Sequence, residues 1–311
     1  MSTIAASQPA KRRRGSLQRT EAIWGIGLAL PWLIGFVVWT AGPMLASIVL
    51  SLTSWDLLSP PKFVGLANYA TLIGNDPSVF QSLKVTTLYA FFALPLNLAL
   101  GLFVAVLLNQ KVRFQSFIRT VYYLPAVVSG VAVALLWSWI FSPDFGMLNT
   151  LLSYVGITGP GWLASETWVL PSFILMSLWG VGGAMIIYLA GLQGIPTEMY
   201  EAAQVDGASD WVRFWSITIP MVSPVLLFNL IIGIIQALQE FVRAYIMTNG
   251  GPHDASLFFM LYLYRNAFEY FKMGYASSLA WVLFIYIMVL TVLVLRSSAA
   301  WVYYEGQIKG K

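Results

Sequence analysis

The sequence has no cysteine, a single histidine and few charged residues, and each scarcity excludes a class of protein. Without cysteine, the 311-residue chain has no disulfide, no thiolate metal site and no lipid attached through a cysteine sulfur. Its one histidine, His253, has no partner at metal-ligand spacing, which favours a solvated loop side chain. Charged residues make up 10% of the chain. Because soluble domains carry about 25%, an ordinary soluble protein is excluded.

Signatures of catalysis are also missing from the sequence. It contains no Gly-x-x-x-x-Gly-Lys-Ser/Thr segment, so it has no phosphate-binding loop of that kind. It shows no paired-carboxylate pattern, no nucleophile elbow and no cluster of metal-ligating residues. We therefore expect a chain that is not an enzyme and that itself binds no cofactor and no metal.

Apolar sequence is what the chain has in abundance: it is 59% hydrophobic, with a mean hydropathy of +0.75. A helix that crosses about 30 Å of hydrocarbon needs about 20 apolar residues. Six runs qualify, at 23–50, 83–108, 121–141, 168–192, 225–242 and 276–295. The sequence therefore predicts an all-α integral membrane protein with six transmembrane helices. The first run follows basic residues, as in a signal peptide, but it is too long for a cleaved signal and is predicted to be retained.

The basic residues predict the orientation of these helices. If the N-terminus lies inside, twelve Lys and Arg fall in inside segments and five in outside segments. This bias favours cytoplasmic N- and C-termini, as an even number of spans requires. The net charge of +4 is then a topology signal and does not indicate nucleic-acid binding. The predicted organisation is a disordered basic arm over 1–20, a transmembrane domain over 21–298 and a tail over 299–311.

Small residues in two of the runs predict close helix packing. The second run carries Ala90, Ala93, Asn97 and Gly101 on one face, and the fourth run carries Gly180, Gly182 and Gly183. Small side chains let helix backbones approach closely in lipid.

The longest polar interruption between apolar runs extends from Glu201 to Pro224 and reads EAAQVDGASDWVRFWSITIPMVSP. Acidic and small residues occur at helical spacing up to Asp206 and Gly207, and an amphipathic run with two tryptophans follows. This pattern predicts two short helices joined by a glycine turn.

This loop resembles the Glu-Ala-Ala loop of permease subunits in binding-protein-dependent ABC importers. The matching positions are Glu201, Ala202, Ala203, Asp206, Gly207, Ala208, Ile217, Ile219 and Pro220, with Ile219 in place of the usual Leu. Further segments are similar to the first of the two permeases in sugar importers: KFVGLANY at 62–69, RTVYYLP at 119–125, MTNGGP at 247–252 and GYASS at 274–278. Together the matches extend over most of the chain.

The resemblance implies the type I ABC importer permease fold in a bacterial-type cytoplasmic (inner) membrane. It also implies three protein partners in addition to the lipid bilayer: a second related permease, an ATPase dimer and an extracytoplasmic solute-binding protein. ATP and Mg would bind the ATPase. This chain would contact the ATPase through a coupling loop at about 194–220, with Glu201, Ala202, Ala203, Asp206, Gly207 and Pro220 as its coupling residues.

The fifth apolar run carries a polar stripe. Asn229, Gly233, Gln236, Glu240 and Arg243 fall within an arc of about 80° at about 100° per residue. A mid-helix charge costs about 2.5–3.5 kcal/mol against lipid, so this face must meet protein or water, and Glu240 can pair with Arg243. We expect a solute path walled by Asn229, Gly233, Gln236, Gln239 and Glu240. The alternative role of the stripe is hydrogen bonding between helices.

These features favour a permease subunit that imports a sugar or oligosaccharide, since side-chain amides suit hydroxyl groups. Glycerol-3-phosphate or another polyol is the alternative solute, and Arg243 is the sole cation on the stripe. An ion-coupled secondary transporter is the alternative mechanism. That class usually shows buried carboxylate or histidine relays and internal repeats, whereas here Glu240 is the only such group placed well inside the outer half of a span.

Overall fold

The computed structural model describes residues 14–110 and 113–304, and these residues are mostly helical. Of the predicted basic arm, residues 1–13 lie outside the described residues, and the first helix begins at Arg14, before the predicted boundary at residue 20. Of the predicted tail, residues 305–311 lie outside them as well.

The first half of the chain contains seven described helices and a small hairpin. The helices are α1 (Arg14–Phe36), α2 (Gly42–Ser51), α3 (Ala67–Gly74), α4 (Pro77–Asn109), α5 (Gln115–Val127), α6 (Gly130–Ile140) and α7 (Met147–Tyr154). A π-helical segment, Val37–Ala41, joins α1 to α2. Strands β1 (Thr53–Ser54) and β2 (Lys62–Phe63) pair antiparallel, with Thr53 opposite Phe63.

The second half of the chain contains another seven described helices. They are α8 (Val169–Leu178), α9 (Gly182–Gln193), α10 (Thr197–Val205), α11 (Asp210–Arg213), α12 (Ile219–Leu238), α13 (Phe259–Tyr264) and α14 (Met273–Ser298). This half also contains three π-helical segments. Phe214–Thr218 directly follows α11, Ala244–Thr248 lies between α12 and α13, and Arg265–Glu269 directly follows α13.

Four helices are long and apolar enough to cross a membrane by themselves: Gln18–Ser51, Pro77–Asn109, Asp210–Leu238 and Met273–Ser298. They contain most of the first, second, fifth and sixth predicted runs. The third and fourth runs are each a bent pair of helices, α5 with α6 at 98° and α8 with α9 at 43°. With each pair taken as one span, the described chain has up to six spans, as predicted.

The third run is a bent span and does not form one continuous helix over 121–141. Val128 and Ser129 have extended backbone, with ψ of 139° and 133°, so the helix stops after Val127 and restarts at Gly130 in another direction. Pro125 has no N–H to donate, which weakens the last turn of α5 just before this corner.

α4 lies at the centre of the fold and packs against α8, α9, α12 and α13. Glycines make the close approaches possible. A Cβ at Gly101 would lie 3.4 Å from the side chains of Ala184 and Tyr188, and one at Gly182 would lie 2.0 Å from the carbonyl oxygen of Tyr122. The predicted use of small residues for close packing is thus confirmed at Gly101 and Gly182.

The described chain has two ends along its long helices. The loop end carries α10 and α11 and the turn after α14, where the Tyr303 amide donates to the Ser223 hydroxyl over 2.8 Å. The hairpin end carries β1, β2, α3 and α13, and the Met273 amide there donates to the Trp55 carbonyl over 2.9 Å.

Candidate functional site: an exposed loop and a cavity on one helix

At the loop end, α10 carries Glu201, Ala202 and Ala203 and finishes in a Schellman turn. The Gly207 amide donates to the Gln204 carbonyl over 3.1 Å, and the Ala208 amide donates to the Ala203 carbonyl over 2.9 Å. Gly207 has a φ of +79°, and a Cβ there would meet nothing within 4 Å. Glycine is therefore favoured here by the backbone conformation and not by lack of space. A residue with a side chain would pay about 1–2 kcal/mol to adopt this left-handed conformation.

The second predicted short helix is not separate. Ser209 caps α11 by accepting from the Val212 amide over 3.4 Å, and Arg213 pairs with Asp210. From there the chain continues through the π-helical segment Phe214–Thr218 directly into α12, so one helix runs from Asp210 to Leu238. Pro220 lies within this helix, where the wider π-helical turn before it accommodates its missing N–H.

The loop presents an exposed surface. Glu201, Ala202, Asp206 and Gly207 are exposed, while Ala203 and Pro220 are half-buried. Large apolar side chains stand out beside them: Val205 is 89% exposed, Trp211 69% and Trp215 52%. Contiguous apolar side chains that face outward next to acidic groups indicate a protein contact surface.

Tyr200 attaches α10 to the base of α12. Its hydroxyl lies 3.0 Å from the hydroxyl of Thr218, which is 7% exposed. Its ring packs against the core cluster that contains Leu192 and Val222. This contact joins two segments that are separated by the Gly207 turn, and no sequence pattern predicted it.

A cavity of about 780 Å³ lies between α4, the α5–α6 corner, α8–α9 and α12. The lining residues include Asn229, Gly233, Gln236, Glu240 and Arg243, all from the predicted stripe. Gln239, the exposed residue that follows the last residue of α12, does not line it.

The stripe differs from the predicted helix face in its outer part. The fifth run was expected to remain helical to Val242, but α12 ends at Leu238, so the segment after the helix brings Glu240 and Arg243 to the cavity. Within the helix, Asn229 is 7% exposed and donates to the Val225 carbonyl over 3.0 Å. A Cβ at Gly233 would lie 2.3 Å from Leu94, so this glycine lets α4 and α12 approach.

The two charged residues of the cavity form the predicted pair. Arg243 Nη1 lies 3.5 Å from Glu240 Oε2, and the two side chains are only 26% and 14% exposed. Arg243 also donates to the Tyr89 hydroxyl over 2.5 Å, and its amide donates to Glu240 Oε1 over 3.3 Å. The guanidinium is therefore held against α4 with its charge offset by the carboxylate.

Three polar lining residues come from other helices and were not predicted as path residues. Tyr89 and Asn97 lie on α4 and Ser177 on α8. Asn97 Nδ2 donates to Ser177 Oγ over 2.8 Å and to the Ala93 carbonyl over 2.7 Å. The sequence pattern assigned Asn97 to packing only. Among the described residues, no group of three His, Cys, Asp or Glu side chains could hold a metal ion.

Comparison with known proteins identifies the family. The family described as "Binding-protein-dependent transport system inner membrane component" matches residues 97–303, which include both the loop and α12. The probable ABC transporter permease protein YesP of Bacillus subtilis is 42% identical over 293 residues, which are 93% of this chain and 94% of that protein. The lactose transport system permease protein LacF of Rhizobium radiobacter is 36% identical over 288 residues, 90% of this chain and 95% of that protein.

A solved structure shares the fold. It is a chain from a bacterial ABC transporter involved in the import of the acidic polysaccharide alginate, with a TM-score of 0.79, 24% sequence identity and coverage of 91% of this chain and 97% of that chain. The long helices, the two bent pairs and the exposed loop thus form the type I ABC importer permease fold. The chain belongs to the family of inner membrane components of binding-protein-dependent transport systems, as an ABC transporter permease.

Proposed function

We propose that this chain forms half of the translocation path of an ATP-driven importer for a sugar or oligosaccharide, which an extracytoplasmic binding protein delivers. One observation carries the proposal: the helix Asp210–Leu238 begins in the exposed loop and ends at the cavity. Its 29 residues span about 43 Å at 1.5 Å per residue. A displacement of the loop by a partner is therefore transmitted to the cavity through one continuous helix.

The partner at the loop is an ATPase dimer. The exposed Glu201 carboxylate can accept charge-assisted hydrogen bonds from Arg or Lys of that partner, and the small Ala202 permits a close approach. Closure of the dimer on ATP switches the permease pair from inward-facing to outward-facing, and hydrolysis resets it. The loop end is then cytoplasmic, in agreement with the excess of basic residues in segments assigned to that side.

The cavity suits a neutral polyhydroxylated solute. The amides of Gln236 and Asn97 and the hydroxyl of Ser177 are donors and acceptors for sugar hydroxyls, and aromatic side chains such as Trp179 and Tyr123 offer apolar faces. Since a second, related permease would close the other side of the path, the cavity is one half of the space that the solute passes.

The charge of the cavity argues against glycerol-3-phosphate. A phosphate needs fixed cations, yet the Arg243 guanidinium already contacts Glu240 at 3.5 Å and Tyr89 at 2.5 Å. An anion would approach the Glu240 carboxylate together with Arg243, and the two charges offset each other. LacF, described above, is named for a neutral sugar, which also supports this solute class.

The same pair argues against an ion-coupled secondary transporter. Such a mechanism needs a carboxylate that exchanges a proton or cation during the cycle. Glu240 is engaged by both the guanidinium and the backbone amide of Arg243. The energy is therefore assigned to the partner ATPase.

Purification of the chain with its membrane partners tests the proposal. We expect it to co-purify with a second permease and an ATPase dimer. In nanodiscs, we expect the ATPase to be stimulated by the binding protein loaded with neutral mono-, di- or oligosaccharides. Stimulation by glycerol-3-phosphate alone would contradict the solute class, and uptake driven by an ion gradient without ATP would contradict the mechanism.

A further inference from the structure

A second concavity lies at the hairpin end and has no role in the function proposed above. It has a volume of about 340 Å³ and is here called the hairpin socket. Its lining residues are Ser54, Trp55, Asp56, Asn68, Thr71, Asp76, Tyr262, Asn266, Phe271, Lys272 and Tyr275. None of these residues lines the cavity next to α12. An occupant of the socket is therefore not on the solute path.

The wall of the socket is fixed by hydrogen bonds within the chain. Asp76 caps α4 by accepting from the Ser78 amide over 3.1 Å, and its other carboxylate oxygen accepts from the hydroxyls of Tyr262 and, over 2.6 Å, Tyr275. Asn68 Nδ2 donates to the carbonyls of Ser51 and Thr53 over 2.8 and 2.9 Å. These contacts tie the start of α4 to α13 and α14, and they tie α3 to the end of α2 and to β1, so the wall is fixed at several points.

The mouth of the socket is different, because the side-chain hydrogen bonds of Asp56 stay within its own turn and do not reach another helix. Asp56 Oδ1 accepts from the Leu58 amide, the Ser59 amide and the Ser59 hydroxyl over 3.2, 2.8 and 2.7 Å, which fixes the carboxylate and leaves Oδ2 without a bond in the described chain. Trp55 is held at its backbone, whose carbonyl accepts from the Met273 amide. Phe271 is 52% exposed, and Lys272 is exposed beside it.

The mouth carries a persistent negative charge. Hydrogen bonds from the Ser59 amide and hydroxyl hold the pKa of Asp56 below its ordinary value of 3.8. A lowered pKa means that the carboxylate remains ionised at neutral pH and loses its charge only when the pH falls below that value. The two carboxylates of the socket, Asp56 and Asp76, outnumber its one ammonium group, Lys272.

We infer that the hairpin socket receives a basic side chain of the extracytoplasmic binding protein when that protein binds the importer. The inference rests on the proposed function, which places the hairpin end on the extracytoplasmic side of the membrane. The Asp56 carboxylate supplies the counter-charge, and the Trp55 and Phe271 rings supply faces that attract a cation. Leu58, 92% exposed, and Phe63, 77% exposed, add apolar side chains on the neighbouring hairpin that a protein surface can cover.

The test uses the complete importer in nanodiscs with its binding protein, and it measures ATPase rate against binding-protein concentration. We expect D56N to raise the half-saturating concentration about threefold and D56K about tenfold, with the maximal rate unchanged, because a contact charge acts on association. The effect of D56N should shrink at high ionic strength. D56N keeps the oxygen that accepts from the Leu58 and Ser59 amides, so the loop retains its conformation.

The matched control is D254N, which makes the same charge change in another exposed loop at the hairpin end. It should leave the half-saturating concentration within about twofold of the wild type, since an isolated rim charge contributes little. W55L tests the aromatic face and should raise the concentration without altering the backbone bond to Met273.

Three results separate the inference from the proposed function. Equal half-saturating concentrations and salt dependence for D56N, D56K and D254N would overturn the socket and leave the importer function intact. A second result would also overturn the socket: free sugar stimulates the ATPase without binding protein, and W55L abolishes this stimulation. The occupant of the socket would then be the solute. If no binding protein stimulates the wild-type complex, the proposed function itself is wrong.

Discussion

The two ends of the helix Asp210–Leu238 are built in opposite ways. At its start, the structure is local: the Gly207 turn is closed by backbone bonds within five residues, and Ser209 caps the helix three residues before its bonding partner. The side chains there face outward, with Trp211 69% exposed. This end is an ordered surface with little packed around it.

At its other end, the same helix depends on distant parts of the chain. The cavity that it lines also takes residues from α4, α8 and the α5–α6 corner, and Arg243 is held by Tyr89, 154 positions earlier. A Cβ at Gly233 would lie 2.3 Å from Cδ1 of Leu94 on α4. The order of this end comes from packing between helices.

The difference indicates that the helix carries two separable functions. A change at the loop end should alter how the partner's motion enters the membrane and leave solute preference unchanged. A change at the cavity end should do the reverse. Variants that affect both properties equally would break the comparison.

The largest effect is expected at Gly207. In G207V, a β-branched residue must adopt a φ near +79°, which costs about 1–2 kcal/mol or distorts the turn. We expect uptake to fall more than about tenfold relative to ATP turnover, while the chain remains in the membrane. The control is G207N, because Asn tolerates this conformation and should retain most coupling. Normal solute-stimulated ATPase and uptake in G207V would contradict the coupling role.

A smaller effect is expected at Gln236. Its side chain lines the cavity, whereas that of Gln239 does not. Loss of one solute hydrogen bond in Q236A should change uptake or the preference among sugars about two- to tenfold, since such a bond contributes about 0.5–1.5 kcal/mol. Q239A should behave as the wild type. If Q236A reduces only assembly with the second permease, the stripe serves helix packing.

The smallest effect is expected at Tyr200, which attaches α10 to the base of α12. Y200F removes the hydroxyl that lies 3.0 Å from Thr218 and keeps the ring in its apolar surroundings. The ratio of solute transported to ATP hydrolysed should fall about threefold, as expected for one partly buried hydrogen bond. Y154F, at a tyrosine that is 81% exposed on α7, is the control. A changed sugar preference in Y200F would contradict the separation of the two ends, because Tyr200 would then act on the cavity.

The sequence predicted the parts of the fold that depend on residues close together in the chain. The Gly207 turn, the helix before it and the positions of four long spanning helices follow from glycine, capping residues and apolar length. The Glu240–Arg243 pair also follows, because its members are three residues apart. The continuity of α11 with α12 did not, since it depends on the π-helical segment Phe214–Thr218 between them.

Elsewhere the missing information was long-range. The 98° corner after Val127 depends on two extended residues that lie within an unbroken apolar run. The contributions of Tyr89, Asn97 and Ser177 to the cavity require the positions of α4 and α8 relative to α12. Gln239 was assigned to the solute path as one of three side-chain amides on the fifth run, and it does not line the cavity.

The helix Gln18–Ser51 differs from the other three long spans in its burial. None of its most apolar 18-residue window is buried inside the chain. In lipid, such a helix satisfies its own backbone hydrogen bonds, so the bilayer alone can support it before the other spans exist. Its insertion can therefore precede that of the other spans.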